Sequence, residues 1–103
     1  MKYKIEFSNL SKTDLIQIKE YLSQFYPGTV KRFSDEFNKH KKILEESPHA
    51  FPIHRYVSQC RHFSVKDYIV LYHVIDQTRR IEIYRILHSS RDFKRHIKSE
   101  DSQ

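Results

Sequence analysis

Eight residues, Tyr68 to Ile75, constrain this chain more than any others, because both sets of alternating side chains are apolar. Tyr68, Val70, Tyr72 and Val74 share one parity, and Ile69, Leu71, His73 and Ile75 share the other. Period-two alternation of aromatic and β-branched residues predicts a strand. A strand that is apolar on both parities needs cover on both faces. Flanking runs from Arg61 to Val65 and from Arg80 to Leu87 alternate in the same way, separated from it by Lys66-Asp67 and by Asp76-Gln77-Thr78-Arg79. Connections this short predict a three-stranded antiparallel meander.

The first half of the chain supplies the cover. Tyr3, Ile5 and Phe7 alternate and predict an opening strand. Ser11-Lys12-Thr13-Asp14 has the form of a capping box, with Leu10 and Leu15 placed as a hydrophobic staple, so a helix is expected to start there. Leu15, Ile18, Leu22 and Phe25 continue at helical spacing until Pro27-Gly28 interrupts. A second helix is expected from about Thr29 to Glu46, with Val30, Phe33, Phe37 and Leu44 as its stripe and His40 filling the gap. Its other face carries Lys31, Arg32, Lys39, Lys41 and Lys42, read as solvated. Two such helices around a short break form an antiparallel hairpin. Ser47-Pro48 ends the second helix, and Pro48 to Gln59 reads as a loop. Arg91 to Ile97 is expected to form a short helix, and Lys98 to Gln103 a polar tail.

The expected fold is therefore α+β, in the order β-α-α-β-β-β. It is an antiparallel-rich four-stranded sheet with a helical hairpin on one face. One domain occupies 1–97, with the tail at 98–103. Two helices cover only one face of such a sheet. The other face is either open to a partner or closed by the long loop and the C-terminal segment, and the sequence leaves both readings standing.

Composition excludes several functions. At 103 residues, 38% of them hydrophobic, with seven Tyr and seven Phe, the chain is one folded domain. Its single cysteine, Cys60, forms no internal disulfide and fits a reducing compartment. No run is apolar enough to span a membrane and no signal-peptide core is evident, so a cytoplasmic address is expected. One glycine cannot build a phosphate-cradling loop. The seven histidines lack metal-ligand spacing, and His49 and His54 would need outside help to bind one, so neither metal nor cofactor is expected. A net charge of +6 favours an anionic partner, nucleic acid or acidic protein.

The candidate site residues are Arg61, at the start of the meander, and Arg85 and His88, at its end. Arg85 shares strand parity with Ile81, Ile83 and Leu87. A charge on an apolar face must be paired or functional, with Asp67 or Asp92 as candidate partners. Arg61 begins the first meander strand and Arg85 ends the last, so the two need not meet. An Arg/His cluster suits phosphate chemistry on RNA, with His moving protons and Arg holding the phosphate. It equally suits docking on an acidic surface.

Taken together, these segments resemble the RelE/ParE superfamily of toxins from bacterial type II toxin–antitoxin systems. The resemblance covers Tyr3 to about Phe93. It rests on S-K-T-D-L-x-x-I-x-x-Y with Asp14, Leu15, Ile18 and Tyr21, on Arg61, on Tyr68, Val70, Tyr72 and Val74, and on I-x-I-Y-R-I-L-H-S-S-R-D from Ile81 to Asp92. The last block is similar to the ParE branch. The resemblance implies a cognate antitoxin that wraps the chain, and a toxin directed at DNA gyrase; for such a toxin Arg91 and Phe93, a cation and an aromatic fit to anchor a protein interface, are the expected target-binding residues. It also implies an alternative, a ribosome-dependent messenger RNA endoribonuclease of the RelE kind, with Arg61, Arg85 and His88 catalytic. No glutamate base is evident in the Pro48–Gln59 loop. A third alternative is an inactive member acting as a binding domain.

Overall fold

A computed structural model describes residues 2–90 of the chain. Strand β1 (Lys4–Phe7) leads into helices α1 (Asn9–Leu22) and α2 (Thr29–Glu46), followed by strands β2 (Arg61–Val65), β3 (Tyr68–Ile75) and β4 (Arg80–His88). The sheet order is β1-β4-β3-β2. The meander is antiparallel, and β1 joins the β4 edge in parallel, Lys4 opposite Arg80 and Phe7 opposite Ile83. The expected α+β fold with a helical hairpin over an antiparallel-rich sheet is what the chain adopts. Expected residues 91–103, the short helix and the tail among them, lie outside the described residues.

Each turn follows from its backbone. Lys66 closes the β2–β3 turn at φ 54° and Arg79 closes the single 3-10 turn before β4 at φ 52°. Gly28, at φ 89°, separates the helices where an L side chain is strained.

The first helix starts earlier than the capping-box reading expects. Its N-cap is Ser8, whose Oγ accepts from the Ser11 amide at 3.1 Å, while the Ser11 hydroxyl donates back to the Ser8 carbonyl at 2.9 Å. The cap therefore sits three residues upstream, Leu10 is half exposed rather than stapled, and Asp14 is released for another task. The Ser8 hydroxyl also donates to the Tyr84 carbonyl at 2.7 Å. Ser8→Ala loses both contacts and is expected to lower the unfolding free energy by about 1–2 kcal/mol, read from the urea midpoint at unchanged m-value.

Between the hairpin and the sheet lies an aromatic core. Phe33 meets Tyr68 edge-on at 5.6 Å, Phe37 meets Phe63 at 6.1 Å, and His40 stacks flat on Phe63 at 4.8 Å. Edge-on and offset rings add to plain area burial. His40 thus fills the gap in the α2 stripe as a ring, and its Nδ1 donates to the Glu36 carbonyl at 2.9 Å.

The second face of β3 is not left open. The loop after α2 folds over it, and Val57 and Cys60 pack with Leu71 and Leu87 in a second small core. His54 shapes that loop. Its Nδ1 accepts from the Tyr56 and Val57 amides at 3.1 and 3.3 Å, and its own amide donates to the Cys60 carbonyl at 2.8 Å. Of the two readings of this face, closure by the loop describes the centre of the strand.

A bulge resets the parity of β4. Arg85 lies opposite Leu71 but Ile83 lies opposite Tyr72, so Tyr84 is the extra residue. Ile81, Ile83 and Ile86 consequently join the core under the helices, while Leu87 joins the core under the loop. Arg85 does not share a face with Ile81 and Ile83, because unbroken alternation misassigns every residue beyond a bulge.

Candidate functional site

The two arginines singled out in the sequence are both engaged, and at different places. α1 runs beside the part of β4 that β1 leaves uncovered. There Asp14 grips the strand edge: its carboxylate accepts from Arg85 Nε at 2.8 Å, from Arg85 at a second nitrogen at 3.1 Å, and from the Ile86 amide at 2.9 Å. The pair is largely buried, with side chains 13% and 10% exposed. Arg85 is thus held in an ion pair, as one sequence reading had it, but by Asp14 rather than by Asp67 or Asp92. Asp14 was missed as a partner because the capping-box pattern claimed it.

Arg61 begins β2 opposite Tyr72, the residue next to the Leu71 that Arg85 faces. It donates to the Phe51 carbonyl at 2.7 Å and to that of His49 at 3.4 Å. Nearby, Asp76 receives the Tyr3 hydroxyl at 2.6 Å and lies 3.1 Å from His49 Nε2. The hydroxyl of Tyr72, whose pKa burial pushes up to about 12, donates to the Pro48 carbonyl. This cluster ties the N-terminus, the β3–β4 turn and the long loop together. A carboxylate at its centre opposes phosphate.

The Asp76 cluster gives a pH prediction. The Tyr3 hydrogen bond, then His49, holds the Asp76 pKa below the ordinary 3.8, and the same bond raises that of Tyr3. A depressed carboxylate pKa stabilises above the unfolded value and loses its effect as pH falls through the folded one; a raised tyrosine pKa loses its effect as pH climbs through the folded value. The contact is intact between these limits. Tyr3→Phe is expected to return the Asp76 titration, followed by carboxyl-carbon NMR, toward the ordinary value.

His88 lies away from Arg61 and shares a hollow with Asp14, the partner of Arg85. Its register partner is Tyr68, whose ring it meets edge-on at 5.3 Å. The Ser90 amide donates to His88 Nδ1 at 3.0 Å and the Ser90 hydroxyl lies 2.7 Å from the same atom. The neutral ring therefore carries its proton on Nε2. Two adjoining hollows of about 390 and 440 Å³ meet at Tyr21, Tyr68 and His88. Arg32 and Lys66 line the first of them. The Ser89 amide donates to the Asp67 carbonyl at 2.7 Å, clamping the end of β4 to the β2–β3 turn.

The rim of this groove carries a set of aromatics that the periodicity reading did not single out as a surface. Tyr21 and Phe25 meet edge-on at 5.0 Å, both about half exposed, and Tyr26 is 82% exposed. Phe25 continues the helical spacing of Leu15, Ile18 and Leu22, but α1 ends at Leu22. The signal available was three aromatics crowded against Pro27-Gly28, where a helix stops and side chains lose their cover. An exposed aromatic patch beside Arg32 and Lys66 is the composition of a protein-docking surface. Arg91 and Phe93 lie outside the described residues, one and three positions along the chain from Ser90.

Among the described residues, then, Arg61, Arg85 and His88 are not gathered around one point. Arg61 pairs with Tyr72 and Arg85 with Leu71 at the middle of β3, and His88 pairs with Tyr68 at the start of that strand. No three His, Cys, Asp or Glu side chains converge among the described residues, and no described helix is long and apolar enough to cross a membrane.

The comparisons agree with this architecture. A family model described as the ParE toxin of the type II toxin-antitoxin system, parDE, matches residues 5–93. A toxin chain of the Pseudomonas aeruginosa chromosomal ParDE system is similar at TM-score 0.67 and 16% identity, over 84% of this chain and 96% of that one. The RelBE2 toxin–antitoxin complex of Mycobacterium tuberculosis is similar at TM-score 0.60 and 20% identity, over 85% of this chain and 99% of its own. An Escherichia coli RelE mutant in the free state is similar at TM-score 0.64 and 13% identity, over 100% of both chains. No curated protein matches the chain.

Proposed function

We propose, from the premise that this chain belongs to the ParE toxin family of type II toxin–antitoxin systems, that it arrests growth by binding DNA gyrase and is neutralised by a cognate antitoxin. The observation that carries the choice of target is the state of the two arginines. Arg85 is clamped by Asp14 and Arg61 is spent on backbone carbonyls of the loop after α2. Phosphoryl chemistry needs positively charged donors converging on one phosphate, and a protein-binding poison needs none. The exposed aromatic rim at Tyr21, Phe25 and Tyr26, flanked by Arg32 and Lys66, supports a protein-docking mode. Arg91 and Phe93 are further target-binding residues in this reading.

The antitoxin reading is supported by the solved neighbours, several of which are complexes of a toxin with its antitoxin. An acidic antitoxin segment complements a chain of net charge +6. The ribonuclease alternative keeps one observation in its favour: His88 lies in a groove with its Nδ1 held by Ser90, a geometry suited to proton transfer at Nε2.

The test is direct. Purified gyrase with relaxed plasmid and ATP is titrated with this protein. Supercoiled product is expected to fall in a dose-dependent way and to return when the product of the adjacent reading frame is added.

A further inference from the structure

A cleft on the hairpin, lined by neither His88 nor Arg61, has the chemistry of a small-ligand site. It lies between α1 and α2 over β1 and measures about 240 Å³. Its floor is aromatic: Phe7 stacks on Phe37 at 6.0 Å, and Phe33 and Phe37 follow one another at helical spacing at the same distance. Its rim is cationic, with Lys19 on α1 and Asn38 and Lys41 on α2. Lys41 holds its ammonium 5.7 Å above the Phe7 ring. No carboxylate lines the cleft, and neither lysine is ion-paired among the described residues.

That pairing of an apolar floor with an unneutralised cationic rim selects one class of occupant. A neutral hydrocarbon leaves the lysines unused, and a hydrophilic anion leaves the partly exposed Phe7 and Leu15 in water. The volume falls below the roughly 300–1,000 Å³ of drug-sized pockets, so the ligand is short. We propose that this cleft binds a small amphiphilic carboxylate, its apolar chain laid on Phe7 and Leu15 and its carboxylate held at the rim formed by Lys19 and Lys41. The flexible lysine stems close over the chain while their charged heads meet the carboxylate. The site is independent of the toxin's target.

Octanoate is the probe, with octylamine and octanol of equal chain length as controls. In amide NMR on the full chain, octanoate is expected to shift Phe37 and Asn38 saturably. Octylamine should bind at least about tenfold more weakly, and so should octanoate to the Lys19→Glu/Lys41→Glu variant, the loss of one charge-assisted contact. Both lysines line an open rim, so the variant is expected to keep its thermal midpoint. Should it unfold, raised ionic strength supplies the same test, weakening octanoate and leaving octanol unchanged. Absence of saturable shifts, equal binding of the three probes, or undiminished binding by the folded variant overturns the proposal.

Discussion

Asp14→Ala is expected to cost about 3–5 kcal/mol of unfolding free energy, the usual loss when one member of a buried ion pair is removed. The reason is that one carboxylate does three jobs. It accepts twice from Arg85, fixes the Ile86 amide at the edge of β4, and by both contacts pins α1 to the sheet. Removing it takes the bidentate partner from a guanidinium that is mostly out of water and strips a buried amide of its acceptor. For a domain of this size, with a total stability of roughly 5–15 kcal/mol, that is a large share. Asp14→Asn keeps an acceptor for Ile86 and is expected to lose less. Urea denaturation checks both, and a cycle with Arg85→Met isolates the pair from the amide contact. A wild-type midpoint for Asp14→Ala would show that the edge is held by something else.

That same carboxylate marks where the sequence was legible and where it was not. Strong alternation located β2, β3 and β4 nearly to the residue, because period-two patterning bounded by short polar turns has few competing solutions. Helix α2 was equally plain, since Phe33, Phe37 and Leu44 fix its buried stripe. The α1 boundary was misplaced because Ser8 and Ser11 are both competent caps, and only the turn out of β1 decides between them. The bulge at Tyr84 was invisible, for no local residue announces it, and it moved Arg85 to the opposite face. The partner of Arg85 was hidden for a related reason. Asp14 lies 71 positions earlier, and nothing in composition links the two. The cover of the second face by Val57 and Cys60 was one of two open readings, because a proline-rich loop carries no periodicity to say where it folds. At the site, Arg61, Arg85 and His88 were found as residues but not as a geometry.

The largest functional effect is expected at the end of the chain. In the gyrase reading, Arg91→Ala combined with Phe93→Ala should raise the concentration needed for half-inhibition of supercoiling at least about thirtyfold, the 2 kcal/mol threshold of an interface hot spot. Tyr21→Ala, at the half-exposed aromatic pair with Phe25, should weaken inhibition in the same direction by a smaller factor. His88→Ala should move it by less than about threefold, since one groove histidine adds little contact. Circular dichroism separates lost docking from lost folding. Full potency in the Arg91→Ala/Phe93→Ala variant would remove these residues from the target surface.

The central claim is that this toxin acts on gyrase by binding and breaks no bond itself. One paired experiment tests it most directly: the same preparation added to purified gyrase with relaxed plasmid, and to a ribosome-containing translation mixture with labelled messenger RNA. The account predicts inhibited supercoiling and intact messenger RNA. Cleaved messenger RNA with normal supercoiling would contradict it. In that case Arg61, Arg85 and His88 become the catalytic residues, and His88→Ala should slow cleavage by roughly 10²–10⁴-fold.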